Sequence, residues 1–133
     1  MLKYMLNTNI VSYTIKNRPP EIRAAFKRHA DQMCISSITW GELVYGAEHS
    51  SRPEDNLAVI ESMAARLEVL PFEKHDAEHF GQIRAELRKG GNLIGFYDMM
   101  IAGHARAHGL TLVTNNMREF EKVTGLRLAN WAE

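Results

Sequence analysis

Short apolar runs of strand length recur along this chain, each succeeded by a stretch with helical spacing, and that alternation limits the fold more than any other feature. The strand candidates are Leu2–Leu6, Met33–Ser36, Glu68–Phe72, Leu110–Thr114 and Leu126–Leu128. Helices are expected over Ile10–Lys16 and Glu21–His29, and from near Ile38 with Ser36-Ser37 as cap. Others are expected from Pro53, from Asp76 as cap to about Lys89, over Tyr97–His108 and over Met117–Val123. Pro53-Glu54-Asp55 is a helix start because proline is pre-shaped for the first turn and carboxylates oppose the positive dipole end. Gly90-Gly91 and Gly109 supply helix stops. Short, continuously apolar strands separated by helices imply a parallel sheet covered on both faces, an α/β fold.

The 133 residues suit one domain, residues 1–133, with one core. No apolar run approaches the ~20 residues that span a bilayer, so no membrane association is expected. Cys34 is the only cysteine and cannot form an intrachain disulfide; with no secretory-type apolar stretch at the N-terminus, a cytoplasmic protein is expected. Net charge is zero, but residues 1–52 carry +3 and residues 53–133 carry −3. That distribution allows a basic patch and excludes a basic domain.

In an open parallel sheet, ligands bind beyond the carboxyl ends of the strands. After the first strand come Asn7, Thr8 and Asn9; one helical turn after the second come Thr39 and Glu42; after the fourth come Thr114, Asn115, Asn116 and then Glu119. Asp98 opens the helix that precedes the fourth strand, which a right-handed crossover returns to the same edge. Such oxygen-only clusters suit Mg²⁺ or Mn²⁺ and phosphodiester hydrolysis. Two carboxylates about 5 Å apart repel by roughly 3 kcal/mol at an effective dielectric of 20, so a cation is needed to offset the cluster.

Leu6-Asn7-Thr8-Asn9, the run from Ile35 through Thr39 and Glu42 to Gly46, Asp98–Ala102, and Leu112–Asn116 with Glu119-Phe120 resemble, in order and spacing, the PIN-domain ribonuclease toxins called VapC. The resemblance covers essentially the whole chain. It implies a three-layer α/β/α PIN-like fold with a central parallel sheet of four to five strands. It also implies a metal-dependent endoribonuclease of a toxin–antitoxin pair, using Mg²⁺ or Mn²⁺, usually a homodimer, and held inactive by a VapB-type antitoxin. The enteric-type members it most resembles cut initiator tRNA in the anticodon stem-loop. Carried over by position, Asn7, Glu42 and Asp98 are the metal-site and catalytic residues, with Glu119 the fourth, more variable acid. Thr8, Asn9, Thr39, Thr114 and Asn115 support them.

One position departs from the family pattern. Asn7 stands where the family has its first Asp, keeping the shape but losing the charge and one acceptor oxygen. A unit charge ~3 Å from a dication is worth roughly 3 kcal/mol even at the dielectric of water, about a hundredfold in affinity. Weakened metal binding and strongly reduced cleavage are therefore expected. Asn7 is read either as an introduced inactivating change or as a natural variant, and the rival function is a non-catalytic PIN module that binds RNA or antitoxin. A phosphoacceptor receiver domain is rejected: Thr8 stands where an acid is wanted, the third strand ends in Leu70-Pro71-Phe72, and the Leu112–Asn116 strand end has no Lys.

Tyr97, at a loop–helix junction beside Asp98, is the preferred base-stacking candidate, with Trp40 and Tyr45 read as packing residues. Arg88 and Lys89 are the main candidates for RNA phosphates, with Arg18, Arg23, Lys27, Arg28 and Arg84 also considered. His75/His79 and His104/His108 are spaced i, i+4, which can place two imidazoles on one cation. Neither pair forms His-Glu-x-x-His, so surface or helix-end roles are expected. Cys34 is read as a buried small hydrophobe.

Overall fold

The computed structural model describes residues 1–17 and 19–131. Five strands form one all-parallel sheet: β1 (Tyr4–Leu6), β2 (Met33–Ser36), β3 (Glu68–Leu70), β4 (Thr111–Val113) and β5 (Arg127–Ala129), in the spatial order β3-β2-β1-β4-β5. Seven α-helices join them among the described residues: α1 (Thr8–Asn17), α2 (Pro20–Arg28), α3 (Ser37–Glu48), α4 (Pro53–Ala64), α5 (Lys74–Lys89), α6 (Phe96–Ala107) and α7 (Met117–Phe120), with a 3-10 turn over Ala30–Gln32. No helix among the described residues is long and apolar enough to cross a membrane.

Strand side chains alternate between faces, and the core divides accordingly. Met5, Cys34 and Leu112 point into the layer holding Ile83, Leu87, Met99, Ile101 and Phe120. Their neighbours Leu6, Ile35 and Val113 point into the layer holding Ile10, Val11, Ile22, Leu43 and Ile60. The result is a three-layer α/β/α sandwich. Because β1 is flanked by β2 on one side and β4 on the other, the order reverses at β1, the topological position where α/β folds place ligands.

The expected elements exist, with shifted ends. β1 and β3 are shorter than the apolar runs Leu2–Leu6 and Glu68–Phe72, and α7 stops at Phe120 rather than Val123. Asp76 does not cap α5: the helix starts at Lys74, Glu73 is its N-cap, and Asp76 reaches back as the N3 member of a capping box. Gly91 and Gly109 adopt φ of +70° and +66°, the left-handed stops expected after α5 and α6. The α5–α6 contact is backbone-close: a Cβ on Gly103 would sit 2.7 Å from Phe80 N, so glycine is required there.

Candidate active site

The site is built at the carboxyl edge of β1 and β4. Asn7, the first residue beyond β1, is fully buried, and its backbone N–H donates to Val113 O at 2.9 Å. Its side-chain Oδ1 accepts from Asn9 N at 3.2 Å and lies 3.4 Å from Thr114 Oγ1. A backbone N–H can only donate, so this contact identifies the amide oxygen and turns Nδ2 the other way. Buried Nδ2 has no partner of regular geometry, yet it approaches Asp98 closely enough to lower that residue's pKa by hydrogen bonding.

Glu42 comes from the second turn of α3. Thr8 Oγ1 lies 2.7 Å from Glu42 Oε1 and 3.0 Å from Thr39 Oγ1. A carboxylate only accepts, so Thr8 spends its single proton on Glu42 and takes one from Thr39. The chain of hydroxyls fixes Glu42 between α1 and α3. The α3 start that aims it is set by Ser36, whose Oγ accepts from Ile38 N at 3.0 Å.

Asp98 lies in the first turn of α6, so close to Gly95 that a Cβ there would meet Asp98 Oδ2 at 3.0 Å. Its pKa is raised from 3.8 to about 6, first by burial, then by the Glu119 and Glu42 carboxylates, with the Asn7 amide opposing. A hydrogen bond with Glu119 contributes to the rise, so these two carboxyls lie within reach of one shared proton. Glu119, in α7, accepts from Asn116 Nδ2 at 3.3 Å, and Asn116 N donates to Thr114 Oγ1 at 2.9 Å. Asn115 is exposed; the Glu119 partner is its neighbour Asn116.

Segments from β1, α3, α6 and α7 thus aim Asn7, Glu42, Asp98 and Glu119 at one another. The three carboxylates do not all close to within 4.8 Å of one another: among the described residues, the one set of three His, Cys, Asp or Glu ligand atoms that does so is Asp76, His104 and His108. Glu42 also borders a cavity of about 620 Å³ walled by Ser37, Ile38, Gly41, Tyr45 and Tyr97. Tyr97 is 55% exposed, and Tyr45, expected to pack, is 67% exposed and stacked on His49. Leu43, Thr39 and Ala47 form the buried stripe of α3, and Tyr45 lies on the opposite side of that stripe. Trp40 is half-buried against the core as expected.

A PIN domain model matches residues 4–126. The Ribonuclease VapC2 of Haemophilus influenzae is 58% identical over 131 residues, covering 98% of this chain and 99% of that protein. The tRNA(fMet)-specific endonuclease VapC of Salmonella typhimurium is 56% identical with the same coverage. The crystal structure of DNA-bound VapBC from Salmonella typhimurium superposes at TM-score 0.96 over 98% of this chain and 99% of that one, at 56% identity. The chain belongs to the VapC ribonucleases of the PIN-domain family.

PIN nucleases of this kind use a divalent metal, and the donor set of this VapC chain fits a hard cation at three of four positions. Glu42, Asp98 and Glu119 offer carboxylate oxygens, and burial followed by the charges of Glu119 and Glu42 raises the Asp98 pKa. The fourth position offers the wrong group: Asn7 presents a donor, Nδ2, to the acids, while its oxygen is held by Asn9 and Thr114.

The phosphate-contact candidates of this VapC chain divide. Arg88 and Lys89 are exposed at the end of α5, one loop before Asp98, and no ion pair among the described residues engages either. Arg84 stacks over the Phe96 ring, 5.2 Å from its centroid. Arg23 and Lys27 line a separate apolar cavity between α1, α2 and α4. Arg28 is exposed at the end of α2, and Arg18 lies outside the described residues. Cys34 is buried, and burial followed by the Glu68 charge pushes its thiol up to about 12, an inert hydrophobe. The histidine expectation is corrected: His104 is fully buried, held by Ser36 and Asp76, because the α6 face it occupies is clamped between α5 and the sheet. Its partner Asp76 was invisible as a buried group, since a first-turn acid reads as solvent-facing.

Proposed function

We propose that this chain is a metal-dependent endoribonuclease toxin, acting as one PIN unit across residues 1–133, and that Asn7 holds its cleavage far below that of a chain with Asp at this position. The observation that carries the reading is the mutual approach of Glu42, Asp98, Glu119 and Asn7 from four separate segments, expressed in the raised Asp98 pKa. Glu42, Asp98 and Glu119 would hold Mg²⁺ or Mn²⁺. When bound, the metal neutralises the scissile phosphate and lowers the pKa of the attacking water.

The chain's own residues do the rest. Thr8 and Thr39 keep Glu42 aimed, Asn116 orients Glu119, and Thr114 with Asn9 locks the Asn7 side chain. Asp98 carries a proton up to about pH 6 and gives it up above that. Tyr45 and Tyr97 offer ring faces to unpaired bases, and Arg88 with Lys89 offer charge to phosphates.

The relatives whose names specify tRNA(fMet) extend the reading to initiator tRNA, and the VapBC complexes extend it to a VapB-type antitoxin. A homodimer working in the cytoplasm completes it. The test is to sequence the ends of RNA fragments made by the Asn7→Asp chain from total tRNA with Mn²⁺. Cuts confined to the initiator-tRNA anticodon stem-loop, abolished by Glu42→Gln, are expected. Scattered cuts, or cuts that survive Glu42→Gln, contradict it.

A further inference from the structure

Away from the acids, α5 and α6 bring together three groups that no step of RNA cleavage uses. Asp76 Oδ1 lies 3.0 Å from His108 Nε2, and Asp76 Oδ2 lies 3.4 Å from His104 Nε2. The three residues place one ligand atom each within 4.8 Å of the others. His104 is fully buried and Asp76 is 1% exposed, while the His108 side chain is 43% exposed. His104 Nε2 and Asp76 Oδ1 are buried and have no hydrogen bond of regular geometry; each stands only in ion-pair range within the cluster, His104 Nε2 of Asp76 Oδ2 and Asp76 Oδ1 of His108 Nε2.

Both buried ligands are held from behind. His104 Nδ1 lies 2.8 Å from Ser36 Oγ, and Asp76 Oδ2 accepts from Glu73 N at 2.8 Å. An imidazole whose second nitrogen is hydrogen-bonded, beside a carboxylate fixed by a backbone amide, is how metal sites orient their ligands. Burial lowers the pKa of His104, which favours the neutral ring that can coordinate. For bonds of about 2.0–2.1 Å in a tetrahedron, adjacent ligand atoms stand roughly 3.3 Å apart; His104 Nε2 is 3.4 Å from Asp76 Oδ2 and His108 Nε2 is 3.0 Å from the other oxygen, Oδ1, so one carboxylate faces both imidazoles near that spacing. His104 and His108 also sit at the C-terminal end of α6, where a cation is favoured.

We propose that Asp76, His104 and His108 form a second metal site that takes a zinc-class transition ion and staples α5 to α6, with exposed His108 leaving a fourth position for water. Two imidazoles and one carboxylate select Zn²⁺ over the hard Mg²⁺ or Mn²⁺ suited to the three acids. Through Ser36, which also caps α3, the staple is one hydrogen bond from the helix that carries Glu42.

The test is a Zn²⁺ titration of the full chain, stripped of metal and kept in excess Mg²⁺, beside its Glu42→Gln, His108→Ala and Asp76→Asn variants. Co²⁺ absorption is recorded in parallel. One equivalent of Zn²⁺, a rise in melting temperature and the intense visible bands of four-coordinate Co²⁺ are expected in the parent and in Glu42→Gln. His108→Ala and Asp76→Asn should weaken binding at least about thirtyfold while keeping a native circular dichroism spectrum. No Zn²⁺ binding by the parent, unchanged binding in His108→Ala, or loss in Glu42→Gln instead would overturn the proposal.

Discussion

Thr8 and Glu42, 34 positions apart, are joined by a hydroxyl–carboxylate hydrogen bond of 2.7 Å. The bond ties the first turn of α1 to the second turn of α3 and so fixes one acid of the site from outside its own helix. It also explains why a threonine stands directly after position 7: a hydroxyl there both donates to Glu42 and accepts from Thr39.

Replacing Thr8 by Val keeps the volume and removes the donor. Hydrogen bonds to charged groups contribute about 1.5–3 kcal/mol, and part of that is returned by water at this half-buried position. We expect a stability loss of about 1 kcal/mol by urea unfolding and, in the Asn7→Asp background, at least a tenfold drop in RNA cleavage. Unchanged cleavage would mean that Glu42 is positioned by other contacts.

Asp98 sets a pH dependence. Its folded pKa of about 6 exceeds the ordinary 3.8, so between those values the folded chain binds a proton that the unfolded chain has released. Stability from this group is therefore present below about pH 4, falls as pH rises towards 6, and stays lost above it. The full shift corresponds to about 3 kcal/mol; solvent screening at a half-buried carboxyl reduces this to about 1 kcal/mol. Asp98→Asn should remove the slope and raise the melting temperature at pH 7 without metal. An unaltered slope in Asp98→Asn would assign the effect elsewhere.

Tyr45 and Tyr97 border the cavity beside Glu42 with exposed rings. Base–aromatic stacking contributes about 1–3 kcal/mol per base. Tyr97→Ala and Tyr45→Ala should each weaken RNA binding about tenfold or more, measured by fluorescence anisotropy on an RNA hairpin, and leave the melting temperature within a degree or two. Equal binding by the double variant would remove the cavity from the RNA path.

The sheet and most helices were legible because strand and helix periods differ and because Pro53, Gly91 and Gly109 mark boundaries by backbone chemistry alone. The acids were legible by position, since parallel strands all deliver their C-terminal loops to one edge. Three features were not. Tyr45 sits among apolar neighbours in sequence, yet the α3 stripe runs through Thr39, Leu43 and Ala47 and turns it outward. Asn116 rather than Asn115 holds Glu119, a choice made by the turn after β4 and not by residue type. The Asp76–His104–His108 group exists only because α5 and α6 pack closely, and a single helix shows at most its histidine pair.

That close packing is itself testable at Gly103. A methyl there would stand 2.7 Å from Phe80 N and 2.9 Å from Phe80 Cα, backbone atoms that cannot swing aside. Overpacking of this kind costs about 1–3 kcal/mol. Gly103→Ala should lose at least that much in urea unfolding despite alanine's better helix propensity. Under the zinc-class proposal it should also weaken Zn²⁺ binding by separating Asp76 from His104.

Under the proposed function, position 7 sets the charge of the metal site, and Mn²⁺ calorimetry on this chain beside Asn7→Asp tests that control. Asn7→Asp should bind Mn²⁺ about a hundredfold more tightly, with RNA cleavage that emerges in parallel and disappears with EDTA or on adding Asp98→Asn. Equal Mn²⁺ affinity in the two chains, with no gain in cleavage, would refute a controlling charge at this position.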